Sequence, residues 1–367
     1  MAAGPHVSLR ADDPPIPPQA IAMKLKFALI AAAALALALP APAQNTRLRV
    51  AGSLVSGGLI QQNREQPFFE NFAKNTGLPI DAEYKPLDVL GMKDADGLRV
   101  VKSGLFDIVA LRLAQVSRDD PFLLGPDIVG LSTDYDTARK VVDAYRAPLD
   151  TRLQERHGAK LLGTYPFGPQ IMFCKTPISG LADLKGKKVR VSDQSLARFI
   201  ERLDGIPVAL AFTETQQALE RGVVDCAITG PSSANSAGWP DVTTHVMPIG
   251  FQIHIVAYAI NLKKWNALPA EQQARMAAAF QKLEADTWAY SRELWDDASR
   301  CNVGREPCKL GKRYGMLEVP VKPADQKLVR DAVGAVSLPL WAEVCDKSYD
   351  KCSAIWKQVV APVVGLR

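Results

Sequence analysis

Arg190 lies between Val189 and Val191 in the short apolar run Lys187-Lys-Val-Arg-Val-Ser192, near the carboxyl end of what reads as a β-strand. A buried guanidinium is costly unless it is paired, and its planar fork matches a carboxylate. The chemistry this residue offers is therefore capture of an acid. The alternative is an arginine that reaches solvent or an internal Asp, as Arg49 would at the corresponding place in "RLRVAGS" (47–53). The six cysteines offer a second chemistry: Cys174, Cys226, Cys301, Cys308, Cys345 and Cys352. Two pairs share one short spacing, in "CNVGREPC" (301–308) and "CDKSYDKC" (345–352). Each would close a local loop worth about 2–3 kcal/mol, with Cys174–Cys226 as a third pair. Zinc is the competing occupant, but neither pair has C-x-x-C spacing and no His follows His254. No metal or cofactor motif is expected.

Catalytic constellations are not evident. The sequence holds no G-x-S-x-G, H-E-x-x-H or P-loop, and His157, His245 and His254 have no nucleophile beside them in a motif. Asp107 and Asp225 suggest paired carboxylates, yet their matched surroundings make them marks of helix-to-strand transitions.

The ends and the composition narrow the class. Residues 23–43 read as a signal peptide: Met-Lys-Leu-Lys, an apolar block Phe27–Leu39, and an Ala41-Pro-Ala43 cleavage site. Residues 1–22 lie upstream of it, as from a start assigned too early, so the exported chain begins at Gln44. The apolar block is too short for a membrane span. A net charge of +5 without a basic run argues against nucleic-acid binding. An even cysteine count in an exported chain agrees with disulfides.

The elements that would position Arg190 come from a degenerate repeat. "RLRVAGS" (47–53), "NTGLPIDAEY" (75–84) and "VKSGLFDIVAL" (101–111) are echoed by "KKVRVSD" (187–193), "LDGIPVALAF" (203–212) and "LERGVVDCAIT" (219–229). Each copy alternates strand and helix. Gly77, Gly205, Gly104 and Gly222 are expected at helix C-termini, where glycine accepts the left-handed conformation. The alternation implies parallel sheets, in which ligands sit beyond the carboxyl ends of strands. The cleft walls are then the turns after Val50, Val109, Val191 and Ile228, including Ser53. Ile253–Ile260 reads as a strand buried on both faces, and Pro269–Arg300 as one long helix with an apolar stripe, a strut across two lobes. The remainder to Arg367 is expected on the second lobe.

Four blocks in this order resemble the DctP-type substrate-binding proteins of tripartite ATP-independent periplasmic (TRAP) transporters. They are "VKSGLFD" (101–107), "ISGLADLKGKKVRV" (178–191), "AFTETQQALERGVVD" (211–225) and "NLKKWNALPAEQQ" (261–273). The resemblance covers nearly all of the chain after the signal. It implies an α/β, type II-like, two-lobed periplasmic binding protein, hinge-connected, with a long helix spanning both lobes. The lobes would be 44–168 with 255–293, and 169–254 with 294–367. It also implies a small organic acid as ligand and membrane permease subunits as partners. Arg190 falls on the family's carboxylate-binding arginine, Phe212 on its pocket aromatic, and Thr229, followed by Ser232, on a polar contact.

Gln170, in "YPFGPQIMF", stands where some sialic-acid-binding members have a second Arg, which favours a monocarboxylate or keto acid. Arg112 is a candidate second charge from the first lobe, with a surface arginine as the alternative. Phe167, Trp239 and His254 are candidate lining residues, or core and hinge residues; converging aromatics would favour an aromatic acid. Two rivals remain at this stage: a binding protein of an ATP-driven importer, which shares the "DLKGKK" loop, and an exported enzyme acting on a small acid.

Overall fold

The computed structural model describes residues 46–366, and the expected upstream segment 1–22, signal peptide and cleavage after Ala43 lie outside the described residues. Two β-sheets organise those residues. The strands are β1 (Thr46–Gly52), β2 (Ile80–Pro86), β3 (Ile108–Arg112), β4 (Ala159–Pro169), β5 (Ile171–Cys174), β6 (Lys188–Val191), β7 (Ile206–Ala209), β8 (Cys226–Thr229), β9 (His245–Met247), β10 (Ile253–Asn261) and β11 (Leu317–Glu318). The first sheet has the order β2-β1-β3-β10-β4, the second β11-β9-β5-β8-β6-β7.

Each repeat copy builds the parallel part of one sheet. In the first, Val50 pairs with Ile108; in the second, Val189 pairs with Cys226. The two aspartates perform the same structural task. Asp107 Oδ2 accepts from the Arg49 N–H at 2.8 Å, and Asp225 Oδ2 from the Lys188 N–H at 2.8 Å. These registers correct the expected correspondence. Arg49 matches Lys188, and the counterpart of Arg190 is Ala51. Gly77, Gly104 and Gly222 end their helices at φ 66°, 71° and 69°. Gly205 does not: Asp204 takes the left-handed position at φ 56°, since the helix closes one residue sooner and Asp tolerates that region. Gly205 is instead fixed by space, because a Cβ there would lie 2.7 Å from the Ile200 side chain.

The sheets are mixed rather than parallel. β10 joins β3 antiparallel in the first sheet, and β5 joins β8 antiparallel in the second. The chain leaves the first sheet between β4 and β5 and returns between β9 and β10, so Gln170 and residues 248–252 are the crossings. β10 is buried along all nine residues because it is sandwiched between β3 and β4.

The long helix runs Ala270–Asn302 with Pro269 at its N-cap. Its 33 residues span about 50 Å. It packs along β4, where Trp288 Nε1 donates to Thr164 O at 3.2 Å. Its far end meets the helix Pro231–Ser236, where Asn302 Nδ2 donates to Pro231 O at 3.1 Å. It therefore touches the structure around both sheets.

The C-terminal remainder departs from expectation. β11 pairs with β9 of the second sheet, and Asp325, on the helix Pro323–Ala332, accepts from the Leu181 N–H. Beyond residue 337 the chain packs elsewhere. Trp341 Nε1 donates to Pro121 O at 2.8 Å and Trp356 Nε1 to Gly125 O at 2.7 Å, beside the helix Tyr135–His157 that packs on β4. Two buried indoles thus carry 338–366 back to the first sheet, and 294–367 is not one block.

All six cysteines are joined, as Cys174–Cys226, Cys301–Cys308 and Cys345–Cys352. Asp297 lies beside the second pair, and its carboxylate accepts the Lys309, Leu310 and Gly311 N–H groups, which orders the loop. Cys174 and Cys226 face each other across β5 and β8 and are 52 residues apart in sequence. Replacing both by Ala should lower stability by about 2–4 kcal/mol on the loop-entropy model. The measurement is a denaturant midpoint, and an unchanged midpoint would show that this bridge constrains nothing.

Candidate functional site

The ends of β3, β6 and β8 bring the charged and aromatic candidates together. Arg190 is 1% exposed. Its Nε donates to Leu210 O at 3.1 Å and its Nη1 to Ile228 O at 3.0 Å. Its Nη2 finds no hydrogen-bond partner among the described residues. Burial, and then the charge of Arg112, lower its pKa to about 10, against the opposing pull of Asp193 and Asp94. It is still a cation at neutral pH.

Arg112 closes β3 and is buried, so it is no surface arginine. Its Nη1 lies 3.5 Å from Asp94 Oδ2. Its guanidinium stands 4.4 Å from the Phe167 ring centroid and 5.6 Å from that of Phe212. The Phe212 and Trp239 rings are 5.5 Å apart, and Trp239 lies 5.8 Å from the Arg190 guanidinium. Phe212 opens the helix Phe212–Glu220 just after β7, and Trp239 opens a 3-10 turn just after the helix Pro231–Ser236, so short connections aim both rings. Trp239 Nε1 is also buried without a partner among the described residues.

Gln170 occupies the crossing from β4 to β5. Its backbone bonds Gln252 O and Phe251 N, and its Nε2 donates to Gly168 O at 2.8 Å. The side-chain oxygen, Oε1, is buried and unpartnered. Gly230 makes room here: a Cβ would lie 3.4 Å from Gln170 Nε2 and 3.0 Å from Phe167 O. Thr229 is buried opposite Ile171.

Two further candidates are buried nearby. Ser232 is buried, but its neighbour Ser233 makes the bond across the cleft, donating to Gly57 O at 3.2 Å. Ser53 is committed elsewhere: its N–H and hydroxyl donate to Glu65 at 2.6 and 2.9 Å, and its Oγ lies 2.5 Å from the Tyr165 hydroxyl. Glu65 also accepts from Tyr84 at 2.8 Å and Tyr258 at 2.9 Å. Burial pushes this carboxyl up, while those hydroxyls and the Ser53 amide pull it down. Gly52 permits the arrangement, since a Cβ would fall 2.2 Å from the Tyr84 ring and 2.3 Å from Glu65.

His254 belongs to a polar network at the other crossing. Its Nε2 is 3.1 Å from Ser192 Oγ and 2.9 Å from Gln252 Nε2, which makes that ring nitrogen an acceptor from the amide. Gln252 Nε2 also donates to Asp193 at 2.8 Å. Burial lowers the His254 pKa against the pull of Asp193, and Arg112 and Arg190 lower it further. Burial pushes Asp193 up, but His254, the Leu196 N–H and the Ser192 hydroxyl hold it below its usual value. Asp127 is driven well above its usual value by burial and by Asp193.

The two sides touch around the site. Lys93 Nζ lies 2.7 Å from Glu214 Oε1, and a cavity of about 190 Å³ opens beside them, lined by Asp94, Arg118, Ser192, Leu210 and Phe212. Sequence reasoning missed Asp94, Asp193, Gln252 and Glu65. Asp193 alone carried a signal, as an N-cap residue before a helix.

The profile described as "Bacterial extracellular solute-binding protein, family 7" (DctP) matches residues 61–300. The chain belongs to this family. Its members are solute-binding receptors of TRAP transporters, not enzymes. The C4-dicarboxylate-binding periplasmic protein DctP of Rhodobacter capsulatus is 28% identical over 233 residues, 62% of this chain and 67% of that protein. DctP7 of Bordetella pertussis, an extracytoplasmic solute receptor binding pyroglutamic acid, has a TM-score of 0.72 at 22% identity over 85% of this chain and 99% of its own. A TRAP periplasmic solute-binding protein from Desulfovibrio salexigens with bound orotic acid has a TM-score of 0.75 at 18% identity, covering 87% of this chain and 99% of its own. These structures show the two-lobed fold.

The His254 network predicts a pH effect. A histidine whose folded pKa is depressed stays neutral while the unfolded chain takes up its proton, so its contribution to stability falls as pH drops below about 6.5. Asp127 and Glu65, with raised values, act in the opposite direction. The informative quantity is the difference between wild type and His254→Gln. From pH 7 to pH 5 the wild type should lose stability relative to the variant by up to about 1.4 kcal/mol per pH unit, measured by denaturant unfolding. Parallel pH profiles would show that His254 is not held neutral.

Proposed function

We propose that this receptor captures a small monocarboxylic acid between its lobes and delivers it to the membrane permease subunits of a TRAP transporter. The carrying observation is Arg190, a fully buried cation whose described partners are backbone carbonyls and whose Nη2 is unsatisfied. A ligand carboxylate supplies the anion that the protein itself withholds. Arg112 comes from the opposite side and has Asp94 as counter-charge, which leaves about one uncompensated guanidinium for one ligand carboxylate. Phe167, Phe212 and Trp239 form apolar walls suited to a compact or aromatic body. The ligands of the related receptors, pyroglutamic and orotic acid on one side and C4-dicarboxylates on the other, bracket the choice; the charge balance favours the former kind.

The moving bodies in this reading are the two sheets with their helices, hinged at Gln170 and 248–252. A ligand bridging both would favour the closed arrangement that Lys93–Glu214 and Ser233–Gly57 also join. Export with cleavage after Ala43 would place the receptor in the periplasm.

The test is calorimetry and thermal shift of the exported chain with pyroglutamate, orotate, benzoate and succinate, each beside its amide. One acid class should bind and its amide should not. Arg190→Lys, which keeps the charge but loses the fork, should weaken that acid roughly 10–100-fold. Equal affinity in the variant, or equal binding of acid and amide, would overturn the clamp.

A further inference from the structure

We propose that Gln170 sets the ligand class: the acid carries an N–H or O–H donor beside its carboxylate, and Gln170 Oε1 receives it. The proposal rests on the carboxylate reading of Arg190 and goes beyond it by choosing among acids.

Three observations carry it. The orientation of the amide is fixed, because Nε2 donates to Gly168 O and Gly168 offers only an acceptor there. The oxygen at the other end is therefore an acceptor, and it is buried with no donor among the described residues. A buried polar atom left unmade costs about 1–3 kcal/mol, so a ligand that supplies the donor is selected over one that does not.

The second observation is placement. Gln170 adjoins Ile171, which pairs with Thr229 at the end of β8. The preceding residue of β8, Ile228, accepts from Arg190 Nη1 at 3.0 Å. The guanidinium and the amide thus flank the end of one strand, and the residue after that strand, Gly230, has no side chain to crowd the amide, since a Cβ there would lie 3.4 Å from Gln170 Nε2. A ligand whose carboxylate meets Arg190 Nη2 presents its neighbouring atoms to this amide.

The third observation is the polarity of the orphan groups around Arg190. Arg190 Nη2 and Trp239 Nε1 are donors, and Gln170 Oε1 is an acceptor, as is the unpartnered Gln252 Oε1 at the other crossing. A ligand made only of acceptors, such as a keto acid, satisfies the first two and leaves the third unpaired. A hydroxy acid or a lactam acid satisfies all three kinds of group. The preference for a keto acid suggested by the neutral residue at position 170 is thereby replaced by a preference for its donor-bearing counterparts.

Matched pairs test this in the intact exported chain. Pyroglutamate is compared with its carbocyclic analogue, in which the ring N–H is a methylene; lactate with pyruvate; mandelate with benzoylformate. The expected result is that the donor-bearing member of the pair that binds is at least about tenfold tighter, by calorimetry. In Gln170→Met, of similar length but without the amide, that ratio should fall to near one. Gln170→Glu, which keeps an acceptor oxygen at the Oε1 position but loses the donor to Gly168 O, should retain the preference even if both acids bind more weakly. The readout is a ratio, so general damage to the lobes does not move it.

Equal affinities in the wild-type pairs, or an undiminished ratio in Gln170→Met, would sink the proposal while leaving the Arg190 clamp intact. Folded wild-type protein that binds no acid in any pair or in the wider panel would defeat both together. If Gln170→Met does not fold, the wild-type ratio still decides.

Discussion

A guanidinium held in the interior without a carboxylate partner is the constraint around which the site is arranged. Desolvating such a charge costs several kcal/mol even after relaxation. The protein offsets part of that with two backbone carbonyls, Leu210 O and Ile228 O, and with the more distant fields of Asp193 and Asp94. None of these is a full ion pair. On the proposed reading the deficit is removed by an anion reaching the interlobe space, and the same deficit then couples recognition to closure. A carboxylate bound by Arg190 alone would stabilise one lobe, whereas one that also meets Arg112 joins groups from both sides of the crossing.

Exchange of a strand between the sheets places the chemistry at the hinge. β5 and β10 are the antiparallel partners that complete the opposite halves of the molecule. The chain therefore crosses at Gln170 and at 248–252, and these two crossings bring Gln170, Gln252 and His254 beside the strand ends that carry Arg190 and Arg112. Ligand contacts at such positions bear on the relative placement of the sheets as well as on affinity. The neutral His254, held among Ser192, Gln252 and Asp193, keeps a further positive charge away from two guanidiniums that already repel each other.

Local patterns made much of this legible. The strand–helix repeat, the buried strand at Ile253, the long helix and the cysteine spacing all follow from periodicity and short-range chemistry. Arg190 stood out by its place in an apolar strand, and Phe212 and Gln170 by the family resemblance; the structure sets the Phe212 and Trp239 rings near Arg190 and Arg112, and their part in binding belongs to the proposal. What escaped was set by distant chain segments. No pattern in "QQNREQP" announces that Glu65 will be caged by tyrosines from β2, β4 and β10. Asp94 acquires meaning only when β3 sets Arg112 beside it. The return of 338–366 to the first sheet depends on two indole N–H groups finding carbonyls at Pro121 and Gly125. The bonds of Ser53 to Glu65 and Tyr165 were hidden for the same reason, since its partners lie on other elements.

The two repeat copies show where recognition departs from the frame that supports it. The frame is shared: Asp107 and Asp225 tie equivalent strands with equivalent bonds. In the register those bonds define, Ala51 of the first copy stands where the second has Arg190. Arg112 in turn corresponds to Gly230. Each copy contributes one guanidinium, but from a different strand, and the other copy carries a small residue at the matching position. The two guanidiniums therefore enter from unlike places in the repeat. Two arginines at equivalent positions would instead be related by the pseudo-symmetry of the copies. The asymmetry therefore gives a pseudo-symmetric frame two unlike guanidinium positions, as the proposed capture of an asymmetric acid requires.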